Sequence, residues 1–141
     1  MNTNDTLVFE PDKPWDAKEL VKLPKPPAPM STFVPYDWSP DGQKLAFTVS
    51  PAGLAVYSFA SRRYVEPVGF GEEWLWLPDS RRLVGAAGGK LFMVDAESGK
   101  SVEILAVPHE TVSDPAVSRD GRRLWFTRGS TEGDIWMATL K

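Results

Sequence analysis

One short turn motif occurs three times in this sequence, and the spacing of its copies limits the folds open to the chain. The copies are Ser39-Pro40-Asp41-Gly42, Pro78-Asp79-Ser80 and Ser118-Arg119-Asp120-Gly121. Their aspartates lie 38 residues apart (41 to 79) and then 41 residues apart (79 to 120). Proline presets the second position of a type I turn, and Asp and Gly suit the third and fourth. Each copy therefore predicts a tight turn within a repeated unit of about 40 residues.

Apolar residues around each turn predict a β-hairpin. Leu45, Leu83 and Leu124 follow the three turns at the same offset, and we expect them to be buried equivalents. A second hairpin follows in the period, and its apolar runs predict a matching buried set of Leu54, Leu91 and Ile135. Such β-branched and aromatic runs between turn residues are typical of strands. Strands are therefore expected at 44–49, 53–58, 81–85, 90–95, 122–127 and 133–139, and the best helical stretch, 15–23, is short.

Two hairpins in each period of about 40 residues are the layout of a β-propeller blade. The sequence thus predicts an all-β fold, a partial β-propeller of about three four-stranded antiparallel blades. We divide it into N-terminal strands with a proline-rich linker (1–30), two blades (31–69 and 70–108) and a last, incomplete blade (109–141).

Thirteen predicted strands are too few for a closed ring, which needs about four to eight blades. One interpretation is that the chain is a fragment of a longer propeller. The other is a homodimer, in which the spare strand at 19–23 completes the last blade of a second copy and two chains form six blades. That interpretation expects the proline-rich linker at 24–29 to hold the strand away from its own first blade.

The turn motifs resemble those of the TolB-like propeller family, a group of WD-like repeats. Trp38-Ser39-Pro40-Asp41-Gly42 matches the family motif fully, the second copy replaces its glycine and the third its proline. The third copy with Asp134-Ile135-Trp136 resembles the C-terminal blades of bacterial propeller domains. Since propellers have many functions, this resemblance implies a fold more than an activity.

Composition narrows the function classes. Acidic residues outnumber basic ones by 19 to 16, so we expect no nucleic-acid binding. No apolar run is long enough to span a membrane, and residues 1–6 lack the features of a signal peptide. We therefore expect a cytoplasmic location for the chain as it stands, with an extracytoplasmic one open to a longer parent protein. With no cysteine and a single histidine, His109, we expect no metal and no cofactor.

The candidate binding residues precede or begin the innermost strand of each predicted blade. Loops that enter these strands lie near a propeller's central channel, where an acidic and aromatic rim suits a cationic or peptide ligand. The rim consists of Tyr36, Asp37, Glu72, Glu73, His109 and Glu110. The repeated aspartates Asp41, Asp79 and Asp120 are instead expected to cap their own turns, since Asp side chains bond to nearby backbone groups in turns.

No nucleophile elbow, P-loop or dinucleotide-binding motif is present in the sequence. We therefore expect no catalytic residues and no enzyme activity. The predicted function is a non-catalytic module that binds a protein, peptide or small ligand at its loops. The alternative is an accessory or sensor segment of a larger enzyme, such as a prolyl-oligopeptidase-type peptidase or a bacterial protein kinase.

Overall fold

The computed structural model describes residues 5–17, 19–27 and 33–130. This part of the chain contains twelve strands and one 3-10 turn, and no α-helix. In chain order, strands β1 to β12 span Leu7–Val8, Val21–Lys22, Phe33–Trp38, Lys44–Val49, Leu54–Ser58, Arg63–Val68, Glu72–Trp76, Arg82–Ala87, Lys90–Asp95, Ser101–Ala106, Thr111–Val117 and Leu124–Gly129, and the 3-10 turn spans Trp15–Ala17. The predicted all-β class is confirmed.

The strands form four separate antiparallel sheets. We call β1–β2 the N-terminal ribbon, β3–β6 sheet 1, β7–β10 sheet 2 and β11–β12 sheet 3. Sheets 1 and 2 each have four strands in simple sequence order, as predicted. Among the described residues no sheet closes on itself. The strand expected at 133–139, with Ile135, lies outside the described residues.

The repeat places its strands in a common register. Trp38 pairs with Leu45, Trp76 with Leu83 and Val117 with Leu124, so the same repeat position faces its partner in all three sheets. The predicted strands 44–49 and 90–95 match β4 and β9 residue for residue. The other described predictions agree with β5, β8 and β12 within two residues at each end.

Each repeated turn has the predicted hydrogen bonds. Its fourth residue donates its N–H to the carbonyl of the first, over 2.8 Å for Gly42, 3.1 Å for Ser80 and 2.8 Å for Gly121. All three adopt a positive φ, which glycine tolerates best. In each turn the Asp carboxylate accepts a backbone N–H from the residue two ahead, and Asp79 also accepts one from the residue three ahead. The prediction that Asp41, Asp79 and Asp120 serve their own turns is confirmed.

Ser80 occupies the glycine position of the second turn and links it to the first. Its φ is +54°, so its backbone adopts the conformation of the glycines it replaces. Its buried hydroxyl accepts the Asp41 N–H at 3.0 Å, and its carbonyl accepts from Lys44 Nζ at 3.1 Å. The serine side chain therefore adds one hydrogen bond between sheets 1 and 2 that glycine could not supply.

The core lies between sheets that stack face to face in chain order. One cluster joins Ala46 and Val56 of sheet 1 to Trp74, Trp76 and other residues of sheet 2. A second cluster joins sheet 2 to sheet 3 through Val84 and Val112. Because successive strand residues point to opposite faces, sheets 1 and 2 can each bury apolar side chains on both sides.

The N-terminal ribbon covers part of the outer face of sheet 1. Leu23 is 5% exposed and packs in one cluster with Phe47 and Tyr57. The Tyr64 hydroxyl donates to the Pro24 carbonyl at 2.9 Å, just after the ribbon. The expectation that the proline-rich linker holds residues 19–23 away from their own first sheet is therefore wrong. Residues 28 and 29 of that linker lie outside the described residues.

The three equivalent leucines are not equally buried. Leu45 and Leu83 are in the core, whereas Leu124 is only half-buried, so the predicted equivalence fails at the third position. Leu45 and Leu83 sit on strands with neighbours on both sides. In the described residues, Leu124 lies on the edge strand of a two-stranded sheet, which covers it less.

This difference generates a prediction for stability. Leu83→Ala should lower the free energy of unfolding by about 2–5 kcal/mol, because it leaves a cavity at a fully buried site. Leu124→Ala should lower it by about 1–2 kcal/mol, since less apolar surface is lost. Urea denaturation of both variants measures the two values. A loss below about 0.5 kcal/mol for Leu83→Ala would contradict the described packing.

A second prediction concerns the contact of Trp74 with sheet 2 itself. The indole lies on Gly85, where an added Cβ would come within 2.6 Å of Trp74 Cδ2. Gly85→Ala should therefore destabilise the fold by about 1–3 kcal/mol through overpacking. Gly69→Ala is the matched control, because its Cβ would meet only Glu66 Oε1, at 3.9 Å. Equal thermal stability of the two variants would refute this account.

Candidate functional site

The first strands of sheets 1, 2 and 3 share an irregularity that shapes the candidate site. Their pairing shifts between Pro35 and Asp37 in β3, Glu72 and Leu75 in β7, and Ser113 and Ala116 in β11. Counted back from the equivalent residues Trp38, Trp76 and Val117, the three shifts lie at similar positions in the repeat. Bulges of this kind bend a strand and redirect its side chains.

Two acidic residues at these bulges adopt an uncommon backbone conformation. Glu73 has φ +57° and Asp114 has φ +49°, and both lie three residues before the end of their strand. Positive φ is rare in residues other than glycine. Strained backbone of this sort occurs more often at functional sites than elsewhere, so these two positions identify the region for closer description.

Carboxylates connect the three first strands. β7 contacts both β3 and β11. Asp37 Oδ2 accepts the Trp76 N–H at 2.8 Å, and Glu73 Oε2 accepts the Asp114 N–H at 2.6 Å. Half-burial raises the pKa of Asp37, and the N–H groups of Trp76 and Trp38 oppose that shift. Asp37 thus binds sheet 1 to sheet 2, and its carboxylate is largely occupied within the fold.

The carboxylates of Glu72, Glu73 and Asp114 act electrostatically on Tyr36. Its pKa is raised, first by partial burial and then by the negative charges of Glu73, Asp114 and Glu72. The side chain is nevertheless 42% exposed. Tyr36 is thus within the electrostatic influence of two predicted rim residues, Glu72 and Glu73, and of Asp114. The sequence analysis missed Asp114, although its repeat position matches that of Glu73.

An open cleft of about 330 Å³ lies beside the two glutamates. Its remaining lining is small or apolar and is contributed by Ala52, Gly71, Ala86, Ala87, Gly88, Val112 and Ser113. Ala52 and Gly88 belong to the two loops that connect the middle strands of sheets 1 and 2. The cleft therefore combines two carboxylates with walls made of small or apolar side chains. These walls leave room for an extended or slender group.

The third pair of predicted rim residues lies elsewhere. His109 is exposed in the β10–β11 connection with φ +64°, and Glu110 forms an ion pair with both Nε and Nη2 of Arg128 across sheet 3. The Arg128 guanidinium lowers the pKa of Glu110. Neither residue is among the described residues that line the cleft. Glu110 thus supports sheet 3. Of the six predicted rim residues, Glu72 and Glu73 line the cleft, and Tyr36, Asp37, His109 and Glu110 do not.

Three further observations bear on the site. Within residues 5–17, 19–27 and 33–130, no group of three His, Asp or Glu side chains is placed to hold a metal ion. The same residues contain no helix that is long and apolar enough to cross a membrane. No protein-family model and no curated protein matches the chain.

The field around Tyr36 can be tested by titration. Glu73→Gln removes one negative charge but keeps an oxygen that can accept the Asp114 N–H, so the pKa of Tyr36 should fall. The pKa of Tyr64, raised to about 12 by burial and Tyr57, should stay unchanged. The chain has three tyrosines, and NMR titration of their ring signals distinguishes them. An unchanged Tyr36 pKa in Glu73→Gln would show that this glutamate does not act on the phenol.

Proposed function

We propose that the chain forms part of a β-propeller and acts as a non-catalytic binding module. Its ligand would be a protein or peptide that places a cationic side chain between Glu72 and Glu73, beside Tyr36. The observation that supports this proposal best is the open cleft lined by Glu72 and Glu73, whose negative charges also act on Tyr36 of the neighbouring sheet.

The stacking of the sheets supports the propeller part of the proposal. Sheets 1 to 3 follow one another in chain order, and their first strands are neighbours on one side of the stack. That is the arrangement of blades around an axis, in which each first strand faces the channel. The repeated turns and bulges fit the same description.

The charges at the cleft support a cationic ligand. Glu72 is exposed, and both glutamates line the cleft. Among the residues that line the cleft, none is basic. An ammonium or guanidinium group could therefore pair with the carboxylates and lie near the Tyr36 ring, whose face attracts cations.

The walls of the cleft support a peptide over a bulky compound. Small residues on both sides bring the backbone of two loops close to the open space. Backbone groups exposed in this way can bond to an extended chain, and the carboxylates would then select a basic side chain on it. Both contacts bind a ligand without requiring a nucleophile or a general base.

Binding of a short lysine peptide tests the proposal. The peptide is capped at both ends and contains one lysine and no acidic residue, and its control carries acetyl-lysine. In ¹⁵N NMR spectra we expect shifts at residues 71–74, 86–88 and 112–114 with the lysine peptide only. Affinity should fall with salt, because exposed charges are screened.

The variants Glu72→Gln and Glu73→Gln should each weaken binding by about two- to fivefold, the range for an exposed ion pair. Glu97→Gln is the matched control, since Glu97 lies in the β9–β10 turn and does not line the cleft. Equal binding of the acetyl-lysine peptide, or equal affinity of all three variants, would refute the proposed ligand class.

A further inference from the structure

The internal repeat indicates what each face of a sheet packs against. Leu83 packs toward sheet 1 and Leu124 toward sheet 2, so this position points to the preceding sheet. The next residue points the opposite way, because strand side chains alternate. Accordingly Ala46 and Val84, which are 0% and 1% exposed, are covered by the sheet that follows.

Trp125 occupies this forward-facing position in sheet 3 but is 54% exposed. An open cleft of about 600 Å³ lies beside it, lined by Ser118, Arg119, Asp120, Arg123 and Trp125. At this position sheets 1 and 2 bury the small side chains of Ala46 and Val84 under the sheet that follows. In sheet 3 the large indole of Trp125 is exposed at the same position.

At the opposite end of the stack, β3 of sheet 1 also exposes an aromatic side chain. Trp74 and Trp76 of β7 pack against sheet 1 and are fully or almost fully buried. The equivalent of Trp76 in β3 is Trp38, which is 41% exposed. The N-terminal ribbon covers the adjoining part of this face through Leu23. The part of β3 that would meet another sheet remains exposed.

From these two faces we infer that the chain associates with a second copy of itself, with sheet 3 of one copy against β3 of the other. The inference concerns assembly and does not depend on the proposed ligand. Exposed apolar faces of this kind mark protein–protein contacts. A partner must therefore fit both the face of sheet 3 and the face of β3.

A contact inside the chain favours a second copy. Between sheets 1 and 2, Lys44 Nζ lies 5.7 Å from the centre of the Trp76 ring and donates to the Ser80 carbonyl. The equivalent of Lys44 in sheet 3 is Arg123, and the equivalent of Trp76 in β3 is Trp38. The two end faces therefore carry the two halves of a cation–π contact that the fold already uses.

The proposed contact closes with two copies. Sheet 3 of each copy meets β3 of the other across a two-fold axis, so both junctions are identical and neither end face remains open. Closed symmetry of this kind limits the assembly to a dimer, whereas a junction that does not close would produce filaments. Six stacked sheets in a ring would result.

The first experiment is sedimentation velocity of the full chain over a range of concentrations. We expect a dimer with twice the 15.6 kDa mass of the chain. Trp125→Glu and Trp38→Glu should each raise the dissociation constant about 30-fold or more, as loss of a central aromatic residue does. The matched control is Val102→Glu, which places the same charge at a 57% exposed position of β10 and should leave the dimer intact. A monomeric wild-type chain, a dimer that resists both tryptophan changes, or growth into filaments would each overturn the inference.

Cross-linking provides a test that does not depend on disrupting the fold. The chain has no cysteine, so Trp38→Cys and Arg123→Cys each introduce a single thiol. With a short thiol cross-linker, an equal mixture of the two variants should give covalent dimers, while each variant alone should give few. The reason is that the two-fold arrangement places residue 38 of one copy beside residue 123 of the other. Cross-linking that is no more efficient in the mixture than in either variant alone would contradict the arrangement.

Discussion

Alternation of side chains along the strands imposes the main constraint on this structure. Because sheets 1 and 2 are apolar on both faces, each needs a neighbour on both sides. Sheet 2 obtains both from the chain itself, between sheets 1 and 3. Sheet 1 has sheet 2 on one side and the short N-terminal ribbon on part of the other. The order of the stack, the buried tryptophans and the exposed end faces all follow from this requirement.

Hydrogen bonds from carboxylates set the relative position of the sheets that the apolar contacts bring together. Asp37 and Glu73 each accept a backbone N–H from the first strand of the next sheet. Apolar packing is non-directional, so it tolerates sliding of one sheet over another. A carboxylate that accepts a hydrogen bond from one particular amide does not tolerate such sliding. It therefore fixes which residues of neighbouring strands lie side by side. The same bonds hold Glu73 and Asp114 near Tyr36, so the candidate site is part of the joint between sheets.

Much of the fold could be predicted from the sequence because turn chemistry is local. The Ser-Pro-Asp-Gly turn at 39–42 depends on neighbouring residues, and the repeated turns together with the apolar runs predicted β4 and β9 to the residue. Contacts between residues distant in sequence could not be predicted in this way. Glu110 forms an ion pair with Arg128, 18 residues further along the chain, and it does not line the cleft. Asp114 was missed because its bulge becomes visible only once strand pairing is known.

The serine that interrupts the glycine series has a consequence for how the chain avoids misassembly. Hairpins built on one motif are nearly interchangeable, and repeat proteins can pair such units in the wrong order. If all three turns had glycine at this position, each turn would present the same backbone groups to an adjacent sheet. The Ser80 hydroxyl instead accepts the Asp41 N–H, a bond that no glycine could supply. Divergence between the copies therefore makes the contact between the first two hairpins chemically different from the contacts that three identical turns would form.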